Sequence, residues 1–225
     1  MTGNLPTLIT LSGNSQLEAE KLIAYEIGYR GQWAEQFSVD TTVFYNDYEQ
    51  VVGAVPETPF LETGAIPPYL VAPIQLQNVQ SGYNAGFELA ADWRPTQTWR
   101  LQLAYSYLYS DIKNPNDPSS NGNGALNQFS LLSSWNLSHD LELDAWGRYV
   151  NNDGAISTLS PYGSVKIDPY FSLNLRLGWR PCKDLAFSLV GANLLGGAHL
   201  EYVQEAYAYP VEVQRSVYGQ MQWSF

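Results

Sequence analysis

Basic residues are scarce in this 225-residue chain: 11 Lys and Arg against 22 Asp and Glu leave a formal net charge of −11. That balance excludes a protein that grips nucleic acid through its phosphates, and no nucleic-acid partner is expected. Charged residues make up only 15% of the chain and hydrophobic ones 45%, too apolar a mixture for a disordered acidic tail. Cysteine occurs once, as Cys182, which excludes an internal disulfide and a cysteine-built zinc site. Long apolar runs are missing as well. The longest is four residues, as in Leu22 to Tyr25, far below the roughly 18 that a spanning helix needs. Behind Met1, the residues Thr2-Gly3-Asn4-Leu5-Pro6 lack the basic start and apolar stretch of a secretory leader. The expectation is either a cytosolic protein or a chain without its natural start.

Aromatic side chains are what the chain has in excess, at 14%, with 16 Tyr and 7 Trp. Rings with a polar tip suit a boundary between an apolar and a wet phase. From about residue 22 onward helical periodicity is weak, and period-two alternation of Tyr, Val, Leu, Trp and Thr recurs between turn signals. The pattern predicts nine strands, at approximately 22–32, 37–55, 80–94, 99–111, 128–137, 141–149, 169–180, 185–195 and 215–225. Most reach the roughly 9 to 11 residues with which a tilted strand crosses a bilayer. Their connections alternate in length. Those at 33–36, 95–98, 138–140 and 181–184 are short; those at 56–79, 112–127, 150–168 and 196–214 are long and hold Pro56, Pro59, Pro67, Pro68, Pro115, Pro118 and Gly196-Gly197. Short turns on one side and long loops on the other are the rule of an outer-membrane barrel. A soluble sandwich has no cause to keep it.

Charge sorts by strand face. Leu101, Leu103, Tyr105, Tyr107 and Tyr109 alternate along one strand and Phe171, Leu173, Leu175, Leu177 and Trp179 along another, with no ionisable group among the apolar positions at mid-strand. The opposite faces hold Glu26, Arg30, Asp40, Glu88, Asp92, Arg94, Arg100, Glu142, Asp144, Arg148, Arg176 and Arg180. The clean face is predicted to meet lipid, because a Lys or Arg at the bilayer midplane of a barrel costs about 2 to 4 kcal/mol. Trp33, Trp93, Trp99, Trp135, Trp179 and Trp223 lie at short turns or near the C-terminus, and Trp146 does not. Indoles prefer the headgroup level, so the six mark one membrane boundary.

The runs YEIGYRGQ (25–32), FSVDTTVFYNDYEQV (37–51), GFELAADWRP (86–95), WRLQLAYSYLYSD (99–111), LRLGWRPCKDLAFSLVGANLL (175–195) and RSVYGQMQWSF (215–225), in their order and spacing, resemble the C-terminal part of TonB-dependent outer-membrane receptors. The resemblance implies an all-β fold, the last nine strands of an antiparallel transmembrane barrel of about 22 strands. Residues 1–21 would be an extracellular loop or partial strand, and 22–225 the barrel segment, with no plug domain in the chain. It implies the outer membrane of a Gram-negative-type bacterium as location. The function implied is TonB-energised uptake of a scarce solute, most often a ferric siderophore. The implied partners are outer-membrane lipid, the plug and TonB of the intact receptor, the barrel-assembly machinery and the solute itself. At GANLL (191–195) the sequence continues with Gly196-Gly197 where the family often has an acidic residue.

No catalytic pattern emerges. Ser138-His139-Asp140 is a contiguous string and not a triad, His199 stands alone in a long loop, and Gly122-Asn123-Gly124 precedes no helix that would hold a phosphate. Neither enzyme activity nor a cofactor or metal is expected, and Cys182 reads as an unpaired turn residue. Glu26, Arg30, Asp144, Arg148 and Arg176 belong to the lumen wall, pairing locally or meeting the plug. Tyr69, Tyr162, Tyr202, Tyr207 and Tyr209 are candidate ligand contacts, with loop packing as the alternative. Trp223 and Phe225 resemble a C-terminal assembly signal. Two rival readings stay open: a small self-contained barrel closed by a tenth strand through Leu5, Thr7, Ile9 and Leu11, structural, adhesive or enzymatic in role, and a soluble all-β glycan-binding module.

Overall fold

A computed structural model of the chain describes residues 5–114, 124–152, 156–157, 165–202 and 211–225. Its elements are β1 (Thr7–Ser12), β2 (Lys21–Ala34), β3 (Phe37–Pro56), β4 (Phe60–Glu62), β5 (Tyr69–Thr96), β6 (Trp99–Lys113), β7 (Gly124–Asn136), β8 (Leu141–Asn152), β9 (Ile156–Ser157), β10 (Val165–Lys166), β11 (Tyr170–Cys182), β12 (Leu185–Ala192) and β13 (Ser216–Trp223). Among the described residues there is no helix. The main sheet runs β2-β3-β5-β6-β7-β8-β11-β12-β13, and β9 and β10 make a separate short pair. These nine strands are the predicted nine, in chain order. From β6 to β13 every pairing is antiparallel.

Two sequence expectations need correction. Residues 69–79, expected to lie in a long connection, are the first part of β5. Pro67, Pro68 and Pro73 suggested a loop, but a proline still offers its carbonyl, and Glu57 N donates to Pro73 O at 2.9 Å. β5 is 28 residues long, well beyond the roughly 9 to 11 with which a tilted strand crosses a bilayer. Gly82 lies inside this strand at φ +152°. A Cβ there would sit 2.0 Å from the carbonyl oxygen of Asp111, so only glycine permits the approach. The second correction concerns the tenth strand. β1 pairs in parallel with Leu70–Gln75 of β5, not with β2 or β13. Six residues are also too few to cross a bilayer.

The chain divides into two compact units. In the first, formed by Met1–Ala24, Asn46–Tyr83 and Asp111–Gly122, the start of β5 is flanked by β1 and, antiparallel, by β4. Asn78 fastens the segment before β2: its Oδ1 accepts from Glu18 N at 2.8 Å and its Nδ2 donates to Gln50 O at 2.6 Å. Glu20 Oε1 accepts from Val52 N at 2.8 Å.

The second unit comprises Tyr25–Tyr45, Asn84–Ser110 and Asn123–Phe225. Its register sorts residues into rows. Leu103, Leu131, Gly147 and Leu173 are successive partners on one face, as are Tyr105, Phe129, Tyr149 and Phe171. On the other face Arg100, Ser134, Asp144 and Arg176 form a row. A one-residue slip would invert both faces, so the two-sided pattern fixes the register. Four amides pin the short-turn side: Arg94, Asn136, Arg180 and Ser224 donate to the carbonyls of Gln36, Thr98, Asp140 and Asp184 at 2.8 to 2.9 Å.

Among the described residues there is almost no interior: Val71, Val150 and Ile167 are the buried apolar ones, whereas Ile27, Leu177, Leu189, Val217 and Met221 are exposed. A water-soluble domain of this size buries most of its apolar side chains. A contiguous apolar face left open in this way marks a surface that meets a membrane or another protein.

Candidate functional site

The charged face of the second unit is where the chemistry lies. β2, β3, β5, β6, β8 and β11 each place ionisable groups there, and the carboxylates and guanidinium groups meet across strands. Arg30 Nε donates to Asp40 Oδ2 at 2.6 Å. Asp92 accepts from Arg100 Nε at 2.7 Å and lies 3.6 Å from Arg94 Nε. Arg176 Nη1 donates to Asp144 Oδ2 at 2.8 Å and Glu142 Oε2 at 3.1 Å. The expected wall residues Arg30, Asp144 and Arg176 are therefore paired locally, and Glu26 shares their face by strand parity.

Between these pairs runs a trough of about 780 Å³, lined by Arg30, Asp40, Asp92, Gln102, Leu132 and Trp146 among others. Trp146 is the one indole on this face. It lies two residues from Asp144 and from Arg148 in β8, donates through Nε1 to Ser130 Oγ at 2.7 Å, and stays 41% exposed. Strand parity alone carries that placement.

Arg148 anchors a second group. Its guanidinium carbon stands 5.9 Å from the Trp146 ring centroid and 5.8 Å from that of Tyr170, distances at which a cation and a ring attract. Its Nη2 donates to Glu201 Oε1 at 2.5 Å. The same oxygen is 3.2 Å from His199 Nε2, while His199 Nδ1 is 3.1 Å from Gly197 O and the imidazole stacks on Tyr170 at 4.2 Å. The arm after β12 is thereby laid against β8 and β11. Sequence gave no sign of this contact, since Arg148 and Glu201 are 53 positions apart.

The corner at GANLL makes the arm possible. Asn193 takes φ +52° and is 2% exposed; its N donates to Asn174 Oδ1 at 2.9 Å and its Nδ2 to Gly197 O at 3.0 Å and Val213 O at 3.2 Å. Asparagine tolerates this left-handed conformation better than most residues.

The other expected site residues are scattered. Tyr69, at the start of β5 in the first unit, borders a cavity of about 440 Å³ with Pro6, Leu8, Ile66 and Pro67. Tyr202, in the second unit, is 70% exposed beside Glu201. Tyr162, Tyr207 and Tyr209 lie outside the described residues. Trp223 and Phe225 are exposed at the C-terminus with ring centroids 6.2 Å apart. Near the short turns the indoles contact other rings: Trp99 with Trp135 at 6.2 Å, Trp179 with Phe187 at 5.7 Å and Trp33 with Phe37 at 5.7 Å. His139 is bonded to its neighbour Asp140 at 2.7 Å in an exposed turn. Among the described residues no three His, Cys, Asp or Glu are grouped to hold a metal ion, and Cys182 is an exposed free thiol.

The family model described as "TonB dependent receptor-like, beta-barrel" matches residues 2–194. The chain belongs to the TonB-dependent receptor family. It is an outer-membrane protein of a Gram-negative bacterium, from a family of transport receptors and not of enzymes. Among curated proteins it is similar to the "Catecholate siderophore receptor Fiu" of Escherichia coli K12, with 26% identity over 119 residues, 48% of this chain and 15% of that one. Among solved structures it is similar to the FrpB iron transporter from Neisseria meningitidis, at 16% identity and a TM-score of 0.68, covering 97% of this chain and 33% of that one. It is also similar to the siderophore receptor PirA from Acinetobacter baumannii, at 16% identity and a TM-score of 0.67, covering 96% and 32%. This receptor segment thus spans about a third of the length of those solved neighbours and less of the curated relative. A soluble glycan-binding module does not agree with that membership.

Proposed function

We propose that the intact receptor takes up an iron-loaded siderophore with energy delivered through TonB, and that this segment supplies lumen wall and outer loops. The observation that carries the reading is the two-faced sheet, apolar on one face and ion-paired on the other, with Arg148, Trp146 and Tyr170 gathered on the charged face beside the 193–202 arm; in this reading the apolar face meets lipid and the charged face lines the lumen. Support comes from relatives whose names specify siderophores or iron. Tyr69 and Tyr202, with Tyr162, Tyr207 and Tyr209 from the long loops, contribute ring surface to the ligand, since aromatic side chains give wide contact area with few rotors to freeze. The remaining partners are the plug, outer-membrane lipid and the barrel-assembly machinery, which reads Trp223 and Phe225.

The test is growth on a ferric siderophore as sole iron source, in a host stripped of its own receptors and expressing the intact receptor. Growth is expected only when TonB is present. Equal growth without TonB overturns the proposal.

A further inference from the structure

Charge is distributed unevenly along the chain. The segments 1–21, 46–83, 111–124, 151–168 and 193–215 hold thirteen acidic residues against four basic ones, Lys21, Lys113, Lys166 and Arg215. The rest of the chain is nearly balanced, so most of the net charge of −11 falls in these segments. In the siderophore reading they carry the receptor's outer loops, which an entering solute meets first, and a field of one sign raises the local concentration of opposite charge and lowers that of like charge.

A second observation concerns the charged face. Five of its six arginines are engaged by carboxylates: Arg30 by Asp40, Arg94 and Arg100 by Asp92, Arg176 by Asp144 and Glu142, and Arg148 by Glu201; the sixth, Arg180, lies at the short-turn end of β11. An anionic ligand would have to displace a carboxylate from each cation it used. Ferric iron bound by three catecholates carries −3, because each catecholate brings −2. Three hydroxamates bring −1 each and leave the chelate neutral, or +1 with a pendant ammonium group.

Resting on the siderophore reading, we infer that the ligand is a neutral or cationic ferric chelate of the hydroxamate class, unlike the catecholate in the name of the curated relative. Outer loops select against the trianion by charge, and Glu201 withholds Arg148 from it.

The test uses the intact receptor in detergent and one ferric trihydroxamate scaffold whose terminal amine is free, acetylated or succinylated, giving +1, 0 and −1. A ferric tris-catecholate is the fourth probe. Binding is measured at low and at high salt. The +1 and neutral forms are expected to bind at least tenfold more tightly than the tris-catecholate at low salt, with the −1 form between them. That gap should narrow at high salt, where exposed charges are screened. Glu201→Gln, which frees Arg148, is expected to raise tris-catecholate affinity severalfold, and by more than it changes the affinity of the neutral chelate. Tighter binding of the −1 form or of the tris-catecholate to the unaltered receptor overturns the inference and leaves the siderophore reading standing. Binding of none of the four overturns both. An unchanged tris-catecholate affinity in Glu201→Gln overturns the role given to Arg148.

Discussion

Asp144 stands directly opposite Arg176 in the β8–β11 ladder, and Arg176 Nη1 donates to Asp144 Oδ2 at 2.8 Å. Glu142, one pleat further along β8, takes a second contact from the same nitrogen at 3.1 Å. Two carboxylates thus share one guanidinium. Removing the guanidinium leaves two like charges side by side, whereas removing one carboxylate leaves a simple pair. Arg176→Met is therefore expected to destabilise the intact receptor by about 1 to 2 kcal/mol in urea unfolding, and Asp144→Asn by under about 1 kcal/mol, since both side chains are partly hydrated. In the double variant the loss should fall short of the sum. Strict additivity would show that the pair is not coupled.

Leu175 lies between Ala145 and Gly191 on the apolar face. Gln102 lines the trough on the charged face. Leu175→Arg is expected to cost about 2 to 4 kcal/mol in the intact receptor folded into lipid vesicles, and Gln102→Lys little, because only the first puts a charge into hydrocarbon. Similar losses from both would contradict the assignment of faces.

These faces were legible because burial acts on every second residue: twelve charges fall on one parity and the residues at β6 and β11 mid-strand keep the other clear. Short-turn ends were also legible, since indoles and tight turns report on the same boundary. What sequence could not show was the long-loop side. β5 runs from Tyr69 through Pro73, because pairing with β1 and β4 outweighs the local preference of proline. The bond from Arg148 to Glu201 joins a strand to a loop with no periodic relation between them. Asn193 was hidden for another reason: its left-handed backbone depends on contacts to Asn174 and Val213, which no local pattern encodes.

Trp146 faces the ionic wall, whereas Trp99 and Trp135 contact each other on the apolar face. Single-tryptophan variants of the receptor in vesicles should separate them. Trp146 emission is expected to resist brominated lipid, and Trp135 emission to be quenched by it. Quenching of both to the same extent would place Trp146 in lipid.

Among the described residues strand β13 pairs with β12, and Phe225 lies beyond it with its ring against Trp223. Deleting Phe225 is expected to lower the amount of intact receptor in the outer membrane severalfold, read from heat-modifiable gel mobility of membrane fractions. Receptor refolded in vitro should keep its stability. Undiminished membrane levels would remove the assembly role from this residue.

The arm after β12 depends on a close approach at Gly196. A Cβ on Gly196 would lie 2.6 Å from the carbonyl oxygen of Phe171 and 2.4 Å from Asn193 Oδ1, whereas one on Gly197 would meet nothing within 4 Å. The first obstacle is backbone, held in place by β11, so it cannot rotate away as a side chain would. Overpacking of this kind costs about 1 to 3 kcal/mol, and the corner has little to absorb it: Leu194 N already donates to Leu173 O at 2.8 Å. Gly196→Ala should therefore release the arm locally while the ladders of β8, β11 and β12 persist. At about 1.4 kcal/mol per tenfold, the open fraction of residues 194–202 should rise roughly tenfold, read as faster amide hydrogen exchange there. Gly197→Ala should leave exchange unchanged. A Glu201→Gln receptor should show intermediate exchange, because it loses the ionic contact to Arg148 but keeps the corner. Equal exchange in the two alanine variants would mean that the corner is not what holds the arm.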